Sequence, residues 1–190
     1  MRNRLRTPPP RQNSAVQESE QKSLLSRFSL GAWLAVMVAL TTLKPFYQIG
    51  YLWQPENQRV RDLHLVPLDE FSGSTWFGPL FEYAGNTAFF LPFGVLVFSL
   101  CRSIKTTAVW GFVLSLVLEV CQYAFALGRT DIDDLLFNTF GALLGAAVAR
   151  LCGERLFPVW RWLALAAVAV FVVLVVLGPR VGDPNAVVDL

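Results

Sequence analysis

Apolar runs of nearly membrane-crossing length alternate along this chain with short stretches crowded with charge. A helical crossing needs about 20 mostly apolar residues, fewer where flanking side chains snorkel. Runs near 28–43, 83–101, 106–128, 133–152 and 159–178 meet that requirement. Charge brackets them: Arg27 and Lys44 flank the first, Glu82 and Arg102 the second, Lys105 and Arg129 the third. The pattern predicts an all-α fold, a polytopic transmembrane helix bundle of about five spans. Residues 27–178 form the membrane domain, with an outer loop over 44–82. Residues 1–26 read as a disordered basic cytoplasmic tail and 179–190 as an extracytoplasmic tail.

Composition agrees with a bilayer protein. The chain is 54% hydrophobic and 16% charged, with a mean hydropathy of +0.47, far from a soluble domain. Six Trp and fifteen Phe suit aromatic belts at the two interfaces. The localisation expected is the cell membrane, multi-pass. Cys101, Cys121 and Cys152 are odd in number and sit in or beside apolar runs, which argues against a disulfide framework and for small buried side chains. A single His and no Cys-x-x-Cys leave a zinc site without support. No nucleotide-binding loop, internal repeat or heptad occurs, so no cofactor and no nucleic-acid partner are expected.

The net charge of +2 hides a segregation. With the N-terminus cytoplasmic, segments 1–27, 102–105 and 150–161 lie inside and hold eleven of the sixteen basic residues. Ten of the fourteen acids then fall outside. Three separate inner segments agree with the positive-inside rule.

The stretch GRTDIDDLLFNTFGALLG, from Gly128, gathers Arg129, Asp131, Asp133 and Asp134 at the start of the fourth span. Glu119 interrupts the third. A carboxylate at mid-bilayer costs about 2.5–3.5 kcal/mol on insertion scales, so it must face protein, pair or stay protonated. Ser115, Glu119 and Gln122 stand at i, i+4 and i+7, on one helical face. Asp134, Asn138 and Gly141 repeat that spacing on the fourth helix, and Asn86 opens the second. At 1.5 Å per residue these side chains fall in the outer half of the membrane, where a water-filled pocket could open outward. Arg129 is the available countercharge. Simpler roles stand beside these. Asp131 and Asp133 fit a capping box, Arg129 an interfacial salt bridge, and Asn86 and Asn138 interhelical hydrogen bonds. Glu119 could be a structural partner of Arg129. Gly141-x-x-x-Gly145 reads as a close-packing face, within one copy or between copies of a homo-oligomer. Pro92 is placed to kink the second helix.

Asn86-x-x-x-Phe90-x-Pro92-Phe93-Gly94, Ser115-x-x-x-Glu119-x-x-Gln122 and Arg129-x-Asp131-x-Asp133-Asp134-x-x-x-Asn138-x-x-Gly141-x-x-x-Gly145, in that order, resemble the VanZ family of teicoplanin-resistance-protein-like membrane proteins. The resemblance covers roughly Leu65 to Leu151. The family's Asn-Leu-Ile-Pro-Phe-like stretch reads His64-Leu65-Val66-Pro67-Leu68 here, so no role passes to His64. The resemblance implies envelope physiology or low-level resistance to a lipid-bearing glycopeptide, and no defined reaction. Three functions fit the residues. One is a pocket that binds a membrane lipid, glycolipid or lipidated small molecule through Asn86, Ser115, Gln122, Arg129 and Asn138, with Glu119, Asp131 and Asp134 setting its charge. The second is a hydrolase or transferase for a lipid-linked substrate, with Glu119 as the catalytic candidate, or with Asp131 and Asp134 holding a hard cation. The third is a small proton-linked transporter.

Overall fold

The computed structural model describes residues 10–43, 61–72 and 76–177. Helix α1 covers Pro10–Thr42, α2 Phe77–Cys101, α3 Ile104–Phe125, α4 Ile132–Cys152 and α5 Phe157–Leu177. Two short strands, β1 (Arg61–His64) and β2 (Gly128–Asp131), join them. Among the described residues five helices are long and apolar enough to cross a membrane, the one in α1 being Glu20–Thr42. The helical bundle read from the hydropathy pattern is therefore the fold.

Several boundaries move. Residues 10–26 are helical rather than a disordered tail, because Gln17, Glu20, Gln21 and Leu24 are good helix formers that extend the membrane span without a breaker. The second helix begins at Phe77, so Asn86 lies about 14 Å along it rather than at its start. α2 continues through Pro92. The third ends at Phe125, where Ala126 turns left-handed at φ 52° and the Leu127 N–H reaches back to the Gln122 carbonyl at 2.9 Å. The tail over 179–190 and the first part of the 44–82 loop lie outside the described residues.

The loops that can be followed are short and capped. Arg102 closes α2 in the left-handed region at φ 56°. Ser103 then caps α3 by accepting the Thr106 N–H at 3.2 Å. One structured element has no counterpart in the hydropathy pattern. β1 pairs in parallel with β2, in the register Arg61↔Gly128, Asp62↔Arg129, Leu63↔Thr130 and His64↔Asp131. Arg61 fixes this ribbon to the bundle by donating to the last carbonyls of α3, those of Tyr123 and Ala124, both at 3.0 Å.

α2 packs most extensively against α4, and α3 lies against both. The core between them holds Phe90, Phe93, Leu96, Leu118 and Ala142, with Trp33 and Met37 from α1 and Ala164 from α5. The glycines allow the close α2–α4 approach. A Cβ on Gly141 would collide with the Thr87 carbonyl oxygen, and one on Gly145 with that of Leu91. This corrects the homo-oligomer reading in one respect: the Gly141–Gly145 face is filled by α2 of the same chain and cannot be the seam between copies. Outward-facing Trp110, Val113, Val117, Val120 and Phe125 leave an apolar surface on α3 that a bilayer covers.

Candidate functional site

The ribbon end of the bundle carries the polar side chains. In a bilayer each of them needs a partner inside the protein, and the partners differ from those the spacing implied. Glu119, 5% exposed, takes the Asp131 backbone N–H on Oε2 at 3.0 Å. Its own carbonyl accepts the Thr130 hydroxyl at 3.2 Å. The carboxylate of α3 is thus tied to the backbone of β2. The Arg129 guanidinium lies between Glu82, at 3.4 Å, and Asp131, at 3.3 Å. It is the countercharge for Asp131, as its position allowed.

One face of α3 and one of α4 meet below the ribbon. Asn138 donates through Nδ2 to the Ser115 hydroxyl at 3.0 Å. Its Oδ1 is buried with no hydrogen-bond partner. Exchanging the amide's oxygen and nitrogen would not remove the deficit, because the nitrogen would then be left unpaired at the same place. Asn86 donates to Asp134, which joins α2 to the first turn of α4. Gln122 donates to the Thr41 carbonyl at the end of α1, at 3.2 Å. The expected residues thus share one end of the bundle. They form linked pairs: Ser115 with Asn138, Glu119 with Asp131, Asp131 with Arg129, and Asn86 with Asp134.

Asp131 is the N-cap of α4, accepting the Asp133 N–H at 2.9 Å. The capping role is real, and it coexists with the Arg129 ion pair. Asp133 does more than a capping role requires. It is 1% exposed and accepts three hydrogen bonds. The Tyr83 hydroxyl reaches its Oδ2 at 2.6 Å, and the Leu68 N–H reaches Oδ1 and Oδ2 at 3.1 and 2.9 Å. Leu68 holds that N–H in place from a left-handed backbone at φ 62°. Tyr83 also stacks on Phe137, with centroids 4.3 Å apart. Tyr83 precedes Asn86 by three residues on α2, and that shared face was the available signal. The Leu68 contact had none, because it depends on the fold of a loop distant in sequence.

Asp131 and Asp134 engage different partners. Among the described residues no three His, Cys, Asp or Glu side chains gather in a metal-binding group. Gly128 completes the site. Its φ of +149° is one that L side chains rarely adopt, and an added Cβ would stand 3.3 Å from Gln122 Nε2.

The VanZ/LLP1 family model matches residues 30–153. The Protein VanZ of Enterococcus faecium is 33% identical over 135 residues, which cover 70% of this chain and 78% of that protein. No solved structure matches.

Proposed function

The chain belongs to the VanZ/LLP1 family of multi-pass membrane proteins, and from that premise we propose that it binds the polar head of a lipid, glycolipid or lipid-bearing compound at the ribbon end of its bundle. The setting is the cell membrane, in envelope physiology or in teicoplanin-type resistance. The N-terminus is cytoplasmic and the ribbon end faces outward. The observation that carries the reading is the buried, unpartnered Oδ1 of Asn138 within a wall of hydrogen-bonded side chains. Buried polar atoms are almost always paired, so an open acceptor points to a ligand or water that completes it. A ligand hydroxyl or ammonium group supplies the missing donor, and Glu119, Asp131 and Arg129 set the charge it meets.

The test uses the full chain in lipid nanodiscs. A fluorescent lipid-bearing glycopeptide, its lipid-free counterpart and labelled envelope lipid are titrated in turn. Asn138→Ala is expected to weaken binding of the lipid-bearing probe by about ten-fold, the worth of one buried hydrogen bond. Glu119→Gln changes its dependence on ligand charge. Wild-type affinity in both variants refutes the proposal. Labelled lipid recovered intact is expected; turnover with Glu119 required would make the site an enzyme's. An alkaline phosphatase fusion after Gly128 is expected to be active and would reverse the orientation if silent.

A further inference from the structure

The far end of the bundle holds a buried cation that the family match does not reach. Arg161 lies in α5, beyond residues 30–153, about 6 Å along that helix from Phe157. An arginine near the end of a membrane helix ordinarily extends its head to the interface. Arg161 turns inward and is 6% exposed. Its Nη1 donates to the Lys22 carbonyl at 2.8 Å and to the Ser26 hydroxyl at 3.0 Å. Its Nε is buried without a partner. Among the described residues no carboxylate pairs with it. Glu154, which shares the cavity wall with Arg161, is held by Arg102 at 2.7 Å.

A buried guanidinium with no carboxylate beside it among the described residues is costly, because burial removes its hydration. The structure places an opening beside it. A cavity of about 420 Å³ is walled by Arg161, Arg102, Lys22, Ser26, Ser99 and Phe157. The Arg102 guanidinium sits over the Phe157 ring, 4.4 Å from its centroid. Among the described residues the cavity lining includes the guanidinium groups of Arg161 and Arg102, the hydroxyls of Ser26 and Ser99, and one carboxylate, Glu154, which Arg102 holds.

We propose that this cavity binds a phosphate group, that of an anionic membrane phospholipid, with Arg161 as its buried countercharge. Arginine suits phosphate through paired N–H donors, and the site lies near the depth at which a helix end meets the headgroups. The cavity has room for a phosphodiester and its glycerol. It lies at the opposite end of the bundle from the Glu119–Asn138 site, so either can fail without the other.

The full chain is purified in a neutral maltoside detergent and its melting followed by tryptophan fluorescence. Phosphatidylglycerol, phosphatidylcholine, sodium phosphate and matched sodium chloride are added separately. Phosphatidylglycerol is expected to raise the melting temperature saturably and to remain bound in native mass spectrometry. Arg161→Gln is expected to weaken that binding at least about ten-fold, the loss of charge-assisted hydrogen bonds. Arg155→Gln, at the same end but off the cavity wall, leaves it unchanged. A shift produced equally by sodium phosphate supports the phosphate site and assigns it to a soluble ligand. Equal losses in Arg161→Gln and Arg155→Gln mean diffuse surface charge and overturn the proposal, as does the absence of any shift beyond sodium chloride. If Arg161→Gln does not fold, Arg102→Gln carries the comparison: weaker binding supports the site, and unchanged binding overturns it.

Discussion

Replacing Gly145 with alanine sets helix propensity against packing, and the structure decides the sign. Alanine in a helix interior is favoured over glycine by about 0.5–1 kcal/mol. Against that, the new Cβ meets the Leu91 carbonyl oxygen well inside contact distance, the Val95 backbone nitrogen at 2.9 Å and the Gly94 Cα at 3.1 Å. All three are backbone atoms of α2, so no side-chain rotation relieves the overlap and the two helices must part. Overpacking of this kind costs about 1–3 kcal/mol, and a wholly backbone obstacle belongs at the upper end. The net loss is about 1–2 kcal/mol, or roughly 2–8 °C in the melting temperature of a chain this size. Gly85→Ala is the control, on α2 and with nothing within 4 Å of its added Cβ. Only propensity acts there, so its melting temperature is expected to hold or to rise. Both variants are purified in the same detergent and melted by tryptophan fluorescence. If Gly145→Ala melts at or above wild type, α2 and α4 do not approach as described. The hydrogen bonds from Tyr83 and Asn86 to α4 would then lose their basis as well.

Three further outcomes test the ribbon end. Asp133→Ala removes the acceptor of the Tyr83 hydroxyl and the Leu68 N–H, and is expected to cost about 3 kcal/mol. Tyr83→Phe costs about 1 kcal/mol, and a double-mutant cycle in the same melting assay should show the two losses to be non-additive. Gly128→Ala forces a side chain into φ +149° and is expected to cost about 1–3 kcal/mol, with faster hydrogen exchange at Asp131 as the local readout. The His64 ring and then the Leu63 N–H hold the Asp62 carboxyl below its ordinary value of 3.8. A group whose folded value is depressed stabilises above its unfolded value and loses that contribution as pH falls through the folded one. Strand β1 should therefore exchange faster below about pH 3.8 in wild type, and Asp62→Asn should abolish that step; a step retained in the variant refutes the assignment.

The bundle was legible because crossing a bilayer demands long apolar runs, and charge marks where they stop. The same argument found Glu119, Asn138, Ser115 and Gln122, since polar residues at helical spacing in an apolar run must share an inward face. The ribbon was not legible. Neither Arg-Asp-Leu-His nor Gly-Arg-Thr-Asp alternates apolar and polar positions, and α2 and α3 lie between the two in sequence. Partner choice was hidden for the same reason. Helical spacing gives the face a side chain shares. It gives neither the loop N–H that folds back onto that face nor the carbonyl that ends a neighbouring helix.

The ribbon changes what the long loop does. The Asp131 N–H that Glu119 accepts belongs to β2, and β2 is held in register by β1. The Leu68 N–H that Asp133 accepts comes from the turn just after β1. Two buried carboxylates, on α3 and α4, therefore take donors from backbone that the loop positions. Without the ribbon, each would face an apolar surround with fewer donors, at a cost of about 1–3 kcal/mol or more for every charged group left short. Strand β1 and the turn after it thus form a wall of the polar site. Changes in Arg61, which anchors the ribbon to the Tyr123 and Ala124 carbonyls, should act on the site through these two carboxylates.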